Sequence, residues 1–441
     1  MKQMGAAKLF AVIVTLAIVC VAVGTAVAET PFDINHGTTH TSDSSTVEIP
    51  EVTPEIIIPD EPAADVPVPT EPTVPDEPAT DVPAAPTIDP DAIVLDNETI
   101  HSQHGPAISV EEGATVKYAI VGTCTIISDD DDAIYVPYGS TLIIMGYDEN
   151  SSLTVIGGAE SGAGSGIGAH GNCGDISIIG LANLSATGNG VHAYGIGGDK
   201  ANVSIENTHI TSAFGGMLQT QDGSYLSRYI SSHGKTDSEG GPGIGGLDIS
   251  IDNSTVDLVV GGIKAAGIGA RHWTAVSISI VDSTIGDVYG GGSAAGIGGS
   301  RFSSESAEQY VNIYIENSRV TAYGGKEAAG IGSGYDTHCS KVQGECHIEI
   351  VSNSVISATG GDYAAGIGTG FHHGNLTGFI DATVDISDVH AGSPSHYKDS
   401  YTDAQAIGYG VCDPAREGEI VVNAGTPSFT VAGEVIANPF A

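Results

Sequence analysis

"AAGIG" occurs at 265–269, 294–298, 328–332 and 364–368, and this phrase decides the fold class of the chain. The copies begin 29, 34 and 36 residues apart, so the unit repeats without a fixed period. Units of roughly 20 to 50 residues that bury nothing alone, but stack on one another, are typical of solenoid proteins. A looser Gly/Ala-Ile-Gly core extends the series to eight copies, centred on Ile167, Ile196, Ile244, Ile268, Ile297, Ile331, Ile367 and Ile407.

A second phrase, with the periodicity of a β-strand, precedes the later cores. Apolar and polar residues alternate in it, which indicates a strand with one buried face. The shortest unit, from Ile244 to Ile268, spans 24 residues, holds three short strands and shows no helical periodicity. The sequence therefore predicts an all-β chain that folds as a right-handed parallel β-helix, or β-solenoid, with about three short strands per coil. The copies of the strand phrase are "VSIENTHI" (203–210), "ISIDNSTV" (249–256), "ISIVDSTI" (278–285), "IYIENSRV" (313–320) and the longer "IEIVSNSVI" (348–356).

One polar position keeps a constant register within this phrase. Asn207, Asn253, Asp282 or Asn317 stands four residues after the first apolar residue. Asn and Asp tolerate the left-handed backbone conformation and hydrogen-bond to their own backbone, so they suit a tight turn between strands. On stacked coils we expect them to form a ladder of side-chain hydrogen bonds. Ordinary turn residues or glycosylation sites are the alternative interpretation.

The Ala and Gly residues of AAGIG are expected to lie inside the stack. A bulky side chain at a narrow corner would collide with the coils above and below, whereas the Ile fills the core once per coil. The variable spacing is then explained by loops that leave the stack. Six insertions follow a Gly/Ala-Ile-Gly core directly, at 169–175, 270–275, 299–310, 333–346, 369–378 and 409–419, and a seventh, at about 217–240, precedes Ile244.

The Asn turn and the three-strand coils resemble the pectin-lyase-like right-handed parallel β-helix superfamily. The Gly-rich wording is similar to the repeats of large bacterial and archaeal surface proteins that are often called adhesin-like. The resemblance covers about 160–410, and it extends less clearly to "VEEGATV" (110–116) and "VPYGSTL" (136–142). It implies a fold and a surface location, and it carries no activity.

The N-terminal region indicates export. Residues 1–28 have Lys2 and Lys8, an apolar run and the small residues "AVA" (26–28), which together indicate a signal peptide cleaved after Ala28, with an uncleaved anchor as the alternative. Residues 29–90 are rich in Pro, Asp and Glu, which predicts a disordered, extended linker. The remaining chain divides into a cap with the first coils (91–160), the AAGIG-repeat β-helix (161–417) and a C-terminal strand or cap (418–441).

The formal net charge of −40 makes nucleic acid an improbable partner, because phosphate binding requires a positive patch. The same charge suits a solvated extracellular surface.

The loops after each core are the predicted binding edge, because insertions on one edge of a solenoid usually build its binding surface. Aromatic side chains offer flat apolar faces to sugars, and polar neighbours hydrogen-bond around them. Aromatic residues that only cover the core are the alternative. The candidate ligand-binding residues are Arg271, His272, Trp273, Phe302, Tyr335, Asp336, Phe371, His372 and His373.

Two further kinds of site are weaker in the sequence. Asp336, His338, Cys339, His372 and His373 form a conceivable metal set without the fixed ligand spacing of a dedicated site. The acidic run "SDDDDA" (128–133) lacks the pattern of a Ca²⁺ loop, so a solvated charge run is the preferred interpretation there. For catalysis, Asp257 and Asp287 lie in comparable strands, but their registers differ by one residue and no basic partner is expected beside them.

Cys339 and Cys346 are a candidate disulfide within one loop. Sequons predict candidate glycosylation at Asn97, Asn150, Asn183, Asn202 and Asn375, while a sixth, at Asn253, belongs to the expected ladder.

These patterns favour an exported, non-catalytic β-helix protein of the cell surface, with a structural or adhesive role. The expected partners are surface glycans, envelope proteins or further copies of the chain. No cofactor is expected, although Ca²⁺ is possible. The alternative is a polysaccharide lyase or glycoside hydrolase, which would use clustered carboxylates.

Overall fold

The computed structural model describes residues 88–158, 164–216, 240–271, 275–301, 309–335, 345–371, 375–398 and 401–411, together with three later strands. All of them belong to a compact unit that begins at Val82. The predicted signal peptide, and the predicted linker up to residue 87, lie outside the described residues.

The described strands repeat in groups of three, and each strand hydrogen-bonds in parallel to the third strand after it. This pattern produces three parallel sheets, which we call sheet A (eleven strands), sheet B (ten) and sheet C (ten) in the order in which each coil visits them. The predicted all-β solenoid with three strands per coil is confirmed. A two-stranded antiparallel hairpin follows the last coil.

In chain order the strands of sheets A, B and C alternate as follows: β1 (Ile93–Asp96), β2 (Thr99–Ser102), β3 (Ile108–Ser109), β4 (Thr115–Val121), β5 (Thr123–Ser128), β6 (Ile134–Tyr135), β7 (Thr141–Gly146), β8 (Ser152–Ile156), β9 (Ile167–Gly168), β10 (Asp175–Ile179), β11 (Asn183–Thr187), β12 (Ile196–Gly197), β13 (Asn202–Glu206), β14 (His209–Phe214), β15 (Ile244–Gly245), β16 (Asp248–Asp252), β17 (Thr255–Val260), β18 (Ile268–Gly269), β19 (Val276–Val281), β20 (Thr284–Tyr289), β21 (Ile297–Gly298), β22 (Tyr310–Glu316), β23 (Arg319–Tyr323), β24 (Ile331–Gly332), β25 (Glu345–Val351), β26 (Val355–Thr359), β27 (Ile367–Gly368), β28 (Asn375–Ile380), β29 (Asp385–His390), β30 (Ile407–Gly408) and β31 (Glu419–Val422), before the hairpin β32 (Ser428–Val431) and β33 (Glu434–Ala437).

The core is a set of aligned aliphatic columns. In sheet A, Ile205 pairs with Ile251, which pairs with Ile280, and none of the three is exposed. In sheet C the Ile of each core stacks on the Ile of the next, as Ile297 does on Ile331. Burying one such side chain stabilises the fold by about 1.5 to 3 kcal/mol, so the alternating pattern of the strand phrase determines the register.

The AAGIG phrase lies inside the stack, as the sequence predicted. Both alanines of all four copies are fully buried. The second Gly of the core adopts a φ of +138° at Gly269 and +128° at Gly298, values that L side chains rarely adopt. A Cβ on Gly269 would lie 2.1 Å from the carbonyl oxygen of Gly298 in the next coil, so the backbones of successive coils leave no room for a side chain.

The expected Asn turn is present, and a second ladder runs beside it. Asn207, Asn253, Asp282 and Asn317 all have a left-handed φ, between 43° and 50°. Their side chains bond in pairs, with Asn253 Nδ2 donating to Asn207 Oδ1 and Asn317 Nδ2 donating to Asp282 Oδ1, each at 2.5 Å.

The continuous ladder is made by the buried hydroxyl residue that follows each of these positions. The backbone N–H of Ser254 donates to Ser283 Oγ at 3.1 Å, and that of Ser283 donates to Ser318 Oγ at 3.0 Å. Each hydroxyl in turn donates to the carbonyl two residues before it, as Ser283 Oγ does to Val281 at 2.6 Å. Buried polar groups at this corner are therefore satisfied from coil to coil.

All six insertions after the cores connect a sheet C strand to the next sheet A strand, and the insertion at about 217–240 connects sheet B to sheet C. Because the sheet C strands are two residues long, these two corners are neighbours. We call the residues between the end of each sheet B strand and the start of the next sheet A strand the C edge. Within the described part of the chain, no helix is long and apolar enough to cross a membrane.

Candidate functional site

The C edge carries the residues that the sequence predicted for binding. Arg271, Tyr335 and Phe371 are described by the structure and lie at the start of their loops. The structure brings Tyr335 and Phe371 together but places Arg271 in a separate cluster. The other predicted members lie outside the described residues: His272, Trp273, Phe302, Asp336, His372 and His373.

Tyr335 and Phe371 belong to an aromatic row that three successive coils build. Their rings are stacked, with centroids 5.8 Å apart and planes 8° apart. Phe371 also contacts Tyr363 at 5.4 Å and Tyr397 at 5.0 Å, and Tyr397 contacts Tyr401 at 5.9 Å. We call these five residues the aromatic row.

Backbone hydrogen bonds fix the position of the row. The N–H of Tyr335 donates to the carbonyl of Ser293 at 3.0 Å, and that of Phe371 donates to Glu327 at 2.9 Å. Ser293, Glu327 and Tyr363 occupy the same place in successive coils, directly before "AAGIG", and each has a left-handed φ between 62° and 72°. Each loop therefore begins by docking on the turn of the preceding coil.

The row changes in exposure from its centre to its end. Phe371 is only 5% exposed, whereas Tyr397 is 42% exposed. A cation lies at each end of the row: the Arg301 guanidinium is 5.8 Å from the ring centroid of Tyr335, and Lys398 Nζ is 4.7 Å from that of Tyr397. The arrangement presents ring surface and charged donors at one place.

Sequence reasoning missed Arg301, Tyr363, Tyr397, Lys398 and Tyr401. Tyr363 was hidden because it precedes an AAGIG copy at a position occupied elsewhere by Lys264, Ser293 or Glu327. Tyr397 and Tyr401 lie between a sheet B strand and a sheet C strand, whereas the predicted binding residues all lie in loops that follow a core. The sequence did not reveal that the sheet C strands are only two residues long, which places the corner between sheets B and C next to the corner between sheets C and A.

Arg271 belongs to a second cluster on the C edge. Its Nε and Nη2 atoms donate to the two carboxylate oxygens of Asp199 at 3.0 Å each, although the residues are 72 positions apart. The Tyr194 hydroxyl donates to Asp199 as well, and Arg271 Nη1 lies 3.2 Å from His170 Nδ1. The His170 ring stacks on His192 with centroids 5.1 Å apart.

This cluster acts as a clamp between coils. Arg can only donate, so His170 Nδ1 accepts and the ring is neutral. Partial burial of the ring, and secondly the Arg271 charge, lower the pKa of His170, in agreement with this assignment. Tyr194 is 1% exposed and its pKa is raised well above its ordinary value by burial. Since both oxygens of Asp199 are already engaged, the contacts favour a structural role over acid–base chemistry.

The acidic run 128–133 is more structural than the sequence suggested. Asp130 accepts the Gly105 N–H at 2.8 Å and pairs with His104 at 3.0 Å, and these hydrogen bonds lower its pKa. Asp132 is 3% exposed and accepts the Ser165 N–H at 2.6 Å, and burial raises its pKa to about 6. The run ties neighbouring coils together, and a solvated charge run was the wrong interpretation for the buried Asp132.

No group of three or more His, Cys, Asp or Glu that could hold a metal ion occurs in the described ranges. All five members of the conceivable metal set lie outside those ranges: Asp336, His338, Cys339, His372 and His373.

The candidate carboxylates of sheet B have different surroundings from those expected. Asp257 has a basic neighbour after all, because its Oδ2 lies 2.8 Å from His209 Nε2 in the preceding coil. The one-residue register difference is confirmed, since Leu258, and not Asp257, pairs with Asp287. Partial burial raises the pKa of Asp287.

The cysteine and sequon residues have clear positions. Cys346 is a free, fully buried cysteine on the inward face of β25, so the expected disulfide with Cys339 is not formed. Burial raises the pKa of the Cys346 thiol. Cys339 itself lies outside the described residues. Sequence spacing did not reveal that this residue already belongs to a strand. The candidate glycosylation residues are all exposed: Asn97, Asn150, Asn183, Asn202 and Asn375.

Comparisons of the chain with models of protein families, with curated proteins and with solved structures found no match. A function therefore has to be inferred from the residues and geometry of the C edge.

Proposed function

We propose that this chain is an exported, non-catalytic surface protein whose C edge binds glycans through the aromatic row. The observation that carries the proposal is that three successive coils bring Tyr335, Tyr363, Phe371, Tyr397 and Tyr401 into one contact network. The centre of the row is buried at Phe371, and its outer end is exposed at Tyr397.

The physical basis is the amphipathic character of a sugar ring. Its C–H face packs on an aromatic ring, while its hydroxyls hydrogen-bond with polar groups around the ring. The row offers both, because the Tyr hydroxyls, Arg301 and Lys398 accompany the rings.

Export is supported by the sequence of residues 1–28. An extended linker, as the sequence predicts for residues 29–90, would hold the β-helix away from an attachment point. An adhesive or structural role at the cell surface follows from this combination. The partners are then surface glycans, with envelope proteins and further copies of the chain as additional possibilities.

Affinity electrophoresis tests the proposal. The mature chain is run in native gels that contain one of a panel of soluble neutral and acidic polysaccharides. We expect at least one polysaccharide to retard the wild type, and the double variant Tyr397→Ala/Tyr401→Ala to migrate as in a blank gel. The control is Tyr289→Ala, which removes a tyrosine that stacks on Tyr323 in sheet B.

Retardation that is equal for the wild type and the double variant would show that the row does not bind. The same mixtures, assayed for new reducing ends and unsaturated products, test the alternative of a lyase or hydrolase. Product formation would replace the non-catalytic proposal with an enzymatic one.

A further inference from the structure

The described cations are concentrated on the C edge. Of the eight described Lys and Arg residues, Lys117 and Arg319 lie in sheets A and B. The other six lie between a sheet B strand and the following sheet A strand: Lys200, Lys264, Arg271, Arg301, Lys326 and Lys398. In a chain with 54 acidic and 14 basic residues, this placement makes one edge chemically different from the sheet faces.

Two of these cations lie at the ends of the aromatic row without a compensating carboxylate. Lys117 pairs with Asp89 and Arg271 with Asp199, but neither Arg301 nor Lys398 forms an ion pair within the described residues. Arg301 Nε is buried and meets no acceptor there. A buried donor without a partner costs free energy, so the Arg301 guanidinium keeps unmet hydrogen-bonding capacity beside the row.

We propose that the glycan bound by the aromatic row is a short oligosaccharide that carries a carboxylate. The inference rests on the proposed function and names the class of ligand for the same site. A ring of the ligand packs on Tyr397 or Tyr335, and its carboxylate accepts from Lys398 or Arg301. Arg and carboxylate form paired, charge-assisted hydrogen bonds, which makes Arg301 the stronger of the two anchors.

The ligand is short because the rest of the surface is acidic. The outer face of sheet A carries four carboxylates. Three of them are exposed, namely Asp175, Glu206 and Asp248, and the fourth, Asp252, is half-buried. A long polyanion that extends beyond the two cations would meet this field and be repelled, whereas a terminal acidic sugar would not. Close to the row in sequence, the Asp403 carboxylate is paired with His396, whose Nδ1 lies 2.6 Å from Asp403 Oδ1.

Isothermal titration with matched disaccharides tests the inference on the mature chain. Three pairs are used, whose terminal sugar is glucose or glucuronate, galactose or galacturonate, and mannose or mannuronate. In at least one pair we expect the acidic member to bind about fivefold more tightly, the size of one exposed ion pair. The preference should shrink as salt rises, because the charges are then screened.

Two variants locate the effect. Arg301→Gln and Lys398→Gln should each lower the ratio of acidic to neutral affinity toward equality. Lys200→Gln removes an exposed positive charge from the same edge several coils before the row, and it should keep the preference.

The outcomes separate the inference from the proposed function. If no acidic member binds more tightly than its neutral partner, the inference is overturned, while retardation by a neutral polysaccharide would still support glycan binding. If a long polyuronate binds more tightly than the acidic disaccharide at low salt, the restriction to short ligands is wrong. If neither gels nor titrations detect binding, the proposed function itself fails.

Discussion

Two constraints act on the second Gly of each core. At Gly332 the backbone has a φ of +135°, and a Cβ would lie 1.8 Å from the carbonyl oxygen of Gly368. At Gly139 the φ is +81°, but nothing lies within 4 Å of the Cβ position. Gly332 is therefore required both for its backbone conformation and for lack of space, whereas Gly139 is required for its backbone conformation alone.

Replacing Gly332 by Ala should consequently destabilise the protein by roughly 2 to 6 kcal/mol, since backbone strain and overpacking add. Gly139→Ala should cost only about 1 to 2 kcal/mol. Guanidinium unfolding of both variants measures the difference. Equal losses of stability would mean that the coils can move apart to admit a methyl group.

Asp132 makes stability depend on pH. Burial raises its folded pKa from 3.8 to about 6, so the folded state binds a proton more tightly than the unfolded state. This contribution is complete below about pH 4 and is lost as pH rises through 6. The shift corresponds to roughly 3 kcal/mol.

Asp132→Asn cannot ionise and should therefore gain stability relative to the wild type as pH rises from 4 to 7. The difference in melting temperature between the two proteins, recorded at each pH, is the measurement. Glu112→Gln alters an exposed carboxylate and serves as the control. A difference that stays constant with pH would contradict the raised pKa.

Residues inside the stack could be predicted from the sequence because every coil imposes the same surroundings on them. Ile268 and Gly269 have equivalents at the same register in all the described sheet C strands from β9 onward. Arg271 has no such equivalent. Its partner Asp199 lies 72 residues earlier, across an intervening coil, so no local pattern could reveal the contact.

At the scale of the element, the turn between sheets A and B depends on its hydroxyl ladder. Ser283 Oγ accepts from the Ser254 N–H and donates to the Val281 carbonyl, and the residue is 3% exposed. The Asn or Asp before the hydroxyl residue is the more conspicuous signal, yet the described side chains at that position hydrogen-bond to one another only in pairs. Sequence reasoning identified the turn and its conformation but chose the less continuous of two ladders.

Ser283→Ala should cost about 1 to 3 kcal/mol, because the buried Ser254 N–H loses its acceptor. Ser279→Ala, on the outer face of β19, should be nearly neutral. Denaturation midpoints of the two variants provide the comparison. A neutral Ser283→Ala would show that water or a shifted backbone replaces the hydroxyl.

At the scale of the whole molecule, two opposing effects act on association through the first coil: an exposed apolar strand edge and electrostatic repulsion between chains. Within the described residues, β1 pairs only with β4, and Ile93 and Val94 are 50% and 42% exposed. An open strand edge with apolar side chains favours pairing with another chain. The net charge of −40 opposes that association by mutual repulsion.

Salt decides between these forces, because the screening length falls from about 30 Å at 0.01 M to about 3 Å at 1 M. We expect sedimentation velocity of residues 29–441 to show monomers at low salt, and larger species at high salt or with millimolar Ca²⁺. Val94→Lys should suppress the larger species by placing a charge on the edge strand, whereas Glu112→Gln should not. If the wild type stays monomeric at every salt concentration, the chain does not assemble through its edge strands. The proposed role at the cell surface would then rest on glycan binding by the C edge alone.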